Sequence, residues 1–136
     1  MPTQTLTGSC LCRGVRYTVA GELQRFVHCH CSRCRKSTGT GHATNLFVKG
    51  TLKWDSGEEL VRSFKVPEAE RFTNVFCSTC GARLPRFSPQ VQTVMVPAGS
   101  LDEVPDMLPT GRIFQDSRTP WSCDDTKLPG YNKYPS

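Results

Sequence analysis

Short apolar segments separated by turn residues recur along the chain, and no repeat, low-complexity run or linker interrupts them. Residues 15–19 alternate between apolar and polar side chains, and this strand is expected to end at Ala20-Gly21. Residues 25–29 form a second candidate strand. Further strands are predicted at residues 60–66, 71–76 and 91–96, the first and last of which stop before a proline.

The middle of the chain predicts a β-hairpin. Residues 45–48 and 51–54 are both rich in apolar side chains, and they flank the pair Lys49-Gly50. A glycine between two strand-like segments favours a tight turn. We therefore expect the chain to reverse direction at this pair.

Helical signals are confined to two short segments. Residues 32–37 are predicted to form one turn that ends at Gly39, and residues 100–103 another. Residues 124–136 predict an extended tail whose two tyrosines contact the body of the protein. Together these elements predict a mainly β domain with minimal helix.

Length and composition indicate one domain over residues 1–136 with a modest core. Hydrophobic residues make up 37% of the chain, and 11 glycines and 10 prolines imply frequent turns. No apolar stretch is long enough to cross a membrane, and the N-terminal sequence has no secretory pattern. We therefore expect a cytoplasmic protein without membrane association, in which thiols stay reduced.

The cysteines fall into short clusters. Seven of the eight lie in Cys10-Leu11-Cys12, Cys29-His30-Cys31-Ser32-Arg33-Cys34 and Cys77-Ser78-Thr79-Cys80, and Cys123 stands alone. Closely spaced thiolates suit a soft cation such as zinc, whereas four disulfides would suit a secreted chain. Two pairs supply four ligands, which close a tetrahedral site, while the triple supplies three and leaves a position open. The spacing predicts two zinc ions per chain.

The two pairs have geometries that can converge on one ion. Cys10 and Cys12 would share a face on a strand or meet across a turn, and Cys77-x-x-Cys80 is followed at once by Gly81, as in a metal knuckle. A zinc joining them would close a loop of about 65 residues, so that its binding would stabilise the fold. The alternative is that each pair is half of another site.

The triple leaves its fourth ligand open. Cys29, Cys31 and Cys34 place three sulfurs within six residues. A closed site would need one of the other candidate ligands, which are His28, His30, His42 and Cys123. On a strand, His28 and His30 would point away from the neighbouring sulfurs. A binuclear cluster that shares thiolates is a further alternative.

Net charge gives little support to nucleic-acid binding. The formal value is +5 with every cysteine neutral. Seven thiolates and two Zn²⁺ would lower it by three, to about +2. Basic side chains close to the cysteines, such as Arg33 and Arg83, would then compensate the thiolates locally.

The cysteine motifs resemble the glutathione-dependent formaldehyde-activating enzyme family, GFA. The matching segments are Gly8-Ser9-Cys10-Leu11-Cys12, His28-Cys29-His30-Cys31-Ser32-Arg33-Cys34-Arg35-Lys36, Phe76-Cys77-Ser78-Thr79-Cys80-Gly81, Val96-Pro97-Ala98-Gly99-Ser100-Leu101-Asp102, Ile113-Phe114, Pro120-Trp121 and Asp124-Asp125. They cover roughly residues 7–131 in order. The resemblance implies a zinc-pinned, Mss4-like β-sheet fold, with a structural zinc on the two pairs and a catalytic zinc on the triple.

The chain departs from the family pattern at a few positions. Arg13 and then Gly14 follow the first pair, where the family often has glycine at once. Arg112 and Arg118 stand where members often carry His and Lys. Arginine and those residues differ in hydrogen-bonding chemistry, so the substrate is expected to differ if these positions touch it.

The resemblance implies a carbon–sulfur lyase-type enzyme that acts on a small thiol adduct, such as formaldehyde plus glutathione giving S-hydroxymethylglutathione. An open three-thiolate zinc favours binding of the substrate thiol over carbonyl activation. Candidate clamps for the glutathione carboxylates are Arg33, Arg35, Lys36, Arg112 and Arg118. The alternatives are a non-catalytic zinc-binding interaction module of Mss4-like fold and, with less support, a zinc-ribbon nucleic-acid binder.

Overall fold

The computed structural model describes residues 2–122 and 128–135. Within them the protein is mainly β, as predicted. The strands are β1 (Thr3–Ser9), β2 (Arg16–Cys29), β3 (Ala43–Ser56), β4 (Val61–Lys65), β5 (Thr73–Cys77), β6 (Arg86–Ser88), β7 (Thr93–Pro97) and β8 (Gly111–Ile113). The α-helix is α1 (Ser32–Thr38), and short 3₁₀ helices lie at Glu58–Leu60, Ala98–Ser100 and Gln115–Ser117.

Six strands form one sheet around the long strands β2 and β3. Its order is β1-β2-β3-β7-β6, and each of these pairs is antiparallel. The short strand β8 pairs in parallel with residues 27–29 of β2, beyond the part of β2 that β1 covers. Strands β4 and β5 form a separate antiparallel pair. Strands β1, β6 and β8 were not predicted.

The predicted hairpin at Lys49-Gly50 and the predicted strand end at Ala20-Gly21 are both wrong. Strands β2 and β3 run straight through these positions, and Gly21 lies opposite Gly50 in their ladder. A Cβ atom on Gly21 would overlap the Lys49 carbonyl, and one on Gly50 would overlap the Ala20 carbonyl. The glycines therefore allow two backbones to approach closely rather than allowing the chain to turn.

A bulge in β2 decides which side chains reach the core. The pairing of β2 with β3 shifts register between Leu23 and Arg25. Before the shift, Tyr17 and Leu23 are fully buried in the main core, and after it Phe26 takes the core side. Because side chains alternate along a strand, Arg25 and Cys29 then lie on the opposite face. The bulge thus turns the end of β2 towards a second, smaller apolar cluster that contains Cys29.

Tyr17 fixes the main core against the segment after β7. Its hydroxyl lies 2.6 Å from the Ser100 Oγ, and burial raises its pKa to about 12. Gly8 on β1 leaves room for this ring, since a Cβ there would overlap the phenol oxygen. Burying a side chain of this size contributes roughly 2 kcal/mol to stability.

The helical predictions are partly confirmed. Helix α1 ends at Gly39, whose φ of 74° is left-handed, as predicted. The second turn lies at Ala98–Ser100 rather than at residues 100–103. Tyr131 and Tyr134 are 57% and 89% exposed, so neither tyrosine is buried against the body. In the described residues, no helix has the length and apolar character that a membrane crossing requires.

Candidate metal centres and the adjoining cavity

The four paired cysteines meet where two distant turns come together. Cys10 and Cys12 follow the end of β1, and Cys77 ends β5 with Cys80 in the next turn. Their four sulfurs lie within 4.8 Å of one another. The Cys10 and Cys12 sulfurs are 3.6 Å apart, and those of Cys12 and Cys77 are 3.9 Å apart. Four convergent thiols are a donor set that fits a tetrahedral zinc ion.

Backbone N–H groups point at these sulfurs. The Val15 N–H donates to the Cys10 sulfur at 3.3 Å, and the Gly14 N–H donates to the Cys12 sulfur at 3.4 Å. The Thr79 N–H donates to the Cys77 sulfur at 3.4 Å. The N–H groups of Ala82 and Cys12 lower the pKa of Cys80 to about 6. Hydrogen bonds to a thiolate favour its charged form, so these backbone contacts favour the metal-binding form of Cys80 and of Cys77, whose pKa is also lowered.

The turns use left-handed backbone to aim the sulfurs. Gly81 has a φ of 77°, and its N–H donates to the Cys77 carbonyl at 2.8 Å. Arg13 has a φ of 64°, which is uncommon for a residue with a side chain. The family that the sequence resembles often has glycine at this position. The chain therefore keeps the turn geometry there at a cost of about 1 kcal/mol.

The three remaining clustered cysteines meet at the end of β2. Cys29 is the last residue of that strand, Cys31 is the N-cap of α1, and Cys34 lies in its first turn. Their sulfurs lie within 4.8 Å of one another. The Cys31 sulfur accepts a hydrogen bond from the Cys34 N–H at 3.2 Å, so helix capping holds one sulfur in place.

The three thiols share their protons unequally. The Cys34 thiol, the Cys31 N–H and the charge of Arg83 lower the pKa of Cys29 to about 6. The hydrogen bond between the Cys34 and Cys29 side chains raises the pKa of Cys34, and burial raises it further. The metal-free cluster therefore holds a thiolate at Cys29 beside a protonated Cys34. Three convergent sulfurs with one already ionised fit a soft divalent cation.

The histidines considered as fourth ligands lie on the other side of the sheet. His28 and His42 have ring centroids 4.3 Å apart, and His30 and His42 have centroids 5.2 Å apart. His30 is buried beside the Ser122 hydroxyl, and burial lowers its pKa. Among the described residues, no histidine joins the group of close ligand atoms around Cys29. Cys123 lies outside the described residues.

A cavity of about 580 Å³ opens directly onto the three-cysteine cluster. Its wall includes all three cysteines, the apolar side chains Phe47, Phe72, Met95 and Ile113, and the arginines Arg25, Arg33, Arg83 and Arg86. Phe72 and Ile113 also pack against the cluster itself. The sulfurs therefore lie at the end of a partly apolar cavity with a positively charged wall.

The structure separates the five cations predicted as carboxylate clamps. Arg33 lines the cavity and also a neighbouring groove beside Phe64 and Phe72, where Lys36 joins it. Arg35 is half-buried, and its Nε has no hydrogen-bond partner. Arg112 lines a separate cavity beside the three histidines, and Arg118 donates to the Gln115 carbonyl at 3.1 Å.

Sequence reasoning missed most of the cavity wall. Arg83 was noted only as a cation near the cysteines, and Arg25, Asn45 and Arg86 were not singled out. Burial lowers the pKa of Arg83, while the charges of the three thiols raise it. Arg25, Val27 and Cys29 lie at alternate positions of β2. This spacing is the one sequence signal that could have placed Arg25 on the same face as Cys29.

The fold and its two cysteine groups define a β-sheet protein equipped to hold metal ions at two separate centres. The sequence profile of the glutathione-dependent formaldehyde-activating enzyme family, GFA, matches residues 5–117. The chain therefore belongs to the GFA family. A comparison with curated protein sequences found no significant match.

A solved structure supports the same fold. A crystal structure of a Rhodobacter sphaeroides protein from a structural genomics programme superposes with a TM-score of 0.54 at 20% sequence identity. The match covers 78% of this chain and 98% of the other. At this identity the similarity concerns the fold.

Proposed function

We propose that the protein is a zinc-dependent, carbon–sulfur lyase-type enzyme that acts on a small thiol adduct. The candidate reaction is the condensation of formaldehyde with glutathione to S-hydroxymethylglutathione. The observation that carries this proposal is the three-cysteine cluster at the end of the 580 Å³ cavity. Membership of the GFA family supports the reaction class.

We assign a structural zinc ion to one centre and a catalytic zinc ion to the other. Cys10, Cys12, Cys77 and Cys80 supply a full tetrahedral set, which is typical of a structural site. Cys29, Cys31 and Cys34 supply three ligands beside a cavity, which is typical of a catalytic site. Because all seven described cysteines are free thiols, a reducing, cytoplasmic location is part of the proposal.

A zinc ion held by the three sulfurs would lower the pKa of a substrate thiol at its fourth position. The protein's own side chains prepare that position. Phe72 and Ile113 pack against the cluster and limit the access of water. Arg83 faces the three sulfurs and offsets their negative charge.

The net reaction is balanced without a further reactant. The glutathione sulfur forms a bond to the formaldehyde carbon, the carbonyl π electrons move to oxygen, and the thiol proton ends on that oxygen. Bringing both reactants to one end of the cavity lowers the entropic part of the barrier. Arg33 is the one predicted clamp in the wall of this cavity, so it is our first candidate for contact with a glutathione carboxylate.

The test is the rate of adduct formation. Zinc-loaded protein is mixed with glutathione and formaldehyde, and exchange between free and adduct signals is measured by NMR. We expect acceleration over the spontaneous reaction, and loss of that acceleration in Cys31→Ser. The exposed Ser56→Ala at the far end of β3 is the control and should match the wild type. A rate equal to the spontaneous one would exclude the glutathione reaction, and an active Cys31→Ser would exclude the assigned metal ligand.

A further inference from the structure

The cavity at the three-cysteine cluster continues into a groove across the sheet. A second cavity of about 480 Å³ adjoins it along β2, β3, β6 and β7. The residues that line both are Arg25, Phe47, Arg86 and Met95. We call the combined space the arginine groove.

The charges along the arginine groove all have one sign. Its five charged wall residues are Arg25, Arg33, Arg71, Arg83 and Arg86, and no acidic side chain lines either cavity in the part of the chain that the structure describes. The ion pair found within residues 2–122 and 128–135 is Lys53–Asp55, which lies elsewhere. Glu70 lines the next pocket outwards and forms no ion pair with these arginines.

The arginines differ in what offsets their charge. Arg83 faces the thiols of the three-cysteine cluster. Arg86 has no such partner: burial lowers its pKa first, and the charges of Arg71 and Arg83 lower it further. One Arg86 Nη donates to the Arg71 carbonyl at 2.8 Å, while its buried Nε has no partner. Packing like charges together is unfavourable, so an anion bound here would relieve repulsion that the fold leaves in place.

Arg25 is positioned at the same end of the groove. Its guanidinium carbon lies 4.5 Å from the centroid of the Phe47 ring. A cation over an aromatic face is held in position while its N–H edges stay available for hydrogen bonds. Arg25 therefore adds a preoriented donor beside Arg86.

Asn45 lies between the sulfurs and the arginines. On the paired strands, Ala43 faces Cys29, Asn45 faces Val27, and Phe47 faces Arg25. Asn45 is 6% exposed and lines the cavity, yet its Oδ1 has no hydrogen-bond partner. A buried, unsatisfied polar group in a cavity wall is uncommon, and a polar ligand in the cavity would satisfy it.

We propose that the arginine groove binds the oxyanion tail of the substrate thiol, with Arg25, Arg71 and Arg86 as the specificity-determining residues. This inference rests on the proposed function, because the sulfur of the same molecule occupies the three-cysteine centre. Cys29 and Arg25 are four positions apart on β2, or about 13 Å between Cα atoms. The substrate is therefore a thiol with its carboxylate or phosphate several bonds away from the sulfur, bridged past Asn45 by a polar segment.

Two matched pairs of thiols separate the sources of the oxyanion. Glutathione is compared with its diethyl ester, and phosphopantetheine with pantetheine, by calorimetry on the zinc-loaded chain. Removal of the anionic group is expected to weaken binding about tenfold or more in one pair. The pair that responds identifies carboxylate or phosphate. Equal affinities within both pairs would overturn the proposal.

Arginine variants show whether the groove makes the distinction. Arg25→Met, at an exposed position, and Arg86→Met should reduce the preference for the anionic member of the responding pair to less than about threefold. In turnover they should raise KM with kcat nearly unchanged, because the tail contributes equally before and during the reaction. Arg16→Met, an exposed arginine on β2 outside the groove, is the matched control. An unchanged preference in a folded Arg25→Met would overturn the assignment.

An S-methylated ligand distinguishes failure of this inference from failure of the proposed function. S-Methylglutathione, or S-methylated phosphopantetheine, keeps the tail but has no thiol to react. Binding that depends on Arg25, together with no adduct formation from the free thiol, would retain the groove and reject the proposed reaction. Adduct formation, together with a ligand affinity that the arginine substitutions do not change, would retain the reaction and reject the groove.

Discussion

The two cysteine groups differ in how far apart their cysteines lie along the chain. Cys12 and Cys77 of the four-cysteine group are 65 positions apart, and Cys10 and Cys77 belong to the main core. The three-cysteine group comes from one strand end and the helix after it, and it packs in a small separate cluster with Ala43. A metal in the first group ties together distant parts of the fold, whereas one in the second adds little constraint.

The two cysteine groups also differ in what surrounds their sulfurs. In the four-cysteine group, backbone N–H groups of the two turns face the sulfurs. In the three-cysteine group, the Cys34 N–H donates to the Cys31 sulfur, and the sulfurs also face Arg83 and a cavity. The contrast teaches that ligand number alone does not separate a structural centre from a reactive one. The separation of the ligands along the chain and the space beside them carry equal weight.

The largest expected effect is on folding, at the four-cysteine group. Cys77→Ser removes one ligand from the proposed metal site that joins the end of β1 to the end of β5, and we expect a loss of at least about 4 kcal/mol, or roughly 15 °C in Tm. Thermal melting followed by circular dichroism measures this. A Tm within about 3 °C of the wild type would show that this group does not stabilise the fold.

At the three-cysteine group, the same substitution should affect activity instead. Cys31→Ser should lower kcat/KM about 100-fold or more while lowering stability by less than about 1.5 kcal/mol. Serine keeps the helix cap, because its oxygen can accept the hydrogen bond that the sulfur accepts from Cys34. Kinetics, zinc content and melting are measured on one preparation. A collapse of stability equal to that of Cys77→Ser would remove the distinction between the groups.

Substitution of Arg83 should weaken zinc binding at the three-cysteine group and leave the four-cysteine group unaffected. Its Nε donates to the Asn74 Oδ1 at 3.1 Å, and its charge faces Cys29, Cys31 and Cys34. Arg83→Met should weaken zinc binding at the three-cysteine group by about tenfold, because three thiolates lose a compensating charge. Competition with a chromogenic chelator measures both affinities. Equal weakening at the four-cysteine group would indicate a general loss of structure.

The smallest expected effect is a pH dependence of Cys29. Its pKa is lowered from 9 to about 6, so in protein without metal at this group the thiolate is present above pH 6 and lost below it. Its contribution to stability is therefore full above pH 9 and is lost as the pH falls through 6. Alkylation mapped by mass spectrometry should show a midpoint near pH 6 at Cys29 and slower reaction at Cys34, whose pKa is raised. A Cys29 midpoint near pH 9 would contradict this description of the cluster.

Spacing along the sequence predicted the two groups in which the structure places the seven sulfurs. It also predicted a mainly β fold and the end of α1 at Gly39. These features are local or depend on residue types with few other uses. Cysteines two or three positions apart and a glycine after a helical turn carry their information in adjacent residues.

The features that sequence reasoning missed depend on which strands are neighbours. Gly21 and Gly50 resemble turn signals until the pairing of β2 with β3 places them face to face. The register shift after Leu23 determines which face of the sheet Arg25 and Cys29 take, and no local pattern marks that shift. The cavity wall, with Asn45 from β3 and Arg86 from β6, forms only when the sheet order is known.

Stepwise removal of zinc is the most direct test of the difference between the two groups. Zinc-loaded protein is titrated with a chelator while zinc release, circular dichroism and catalytic rate are followed together. We expect two zinc ions per chain, the first leaving with loss of activity and an unchanged fold, the second leaving with unfolding. A single zinc in an active protein, or two ions released together with the fold, would contradict the assignment of one structural and one catalytic centre.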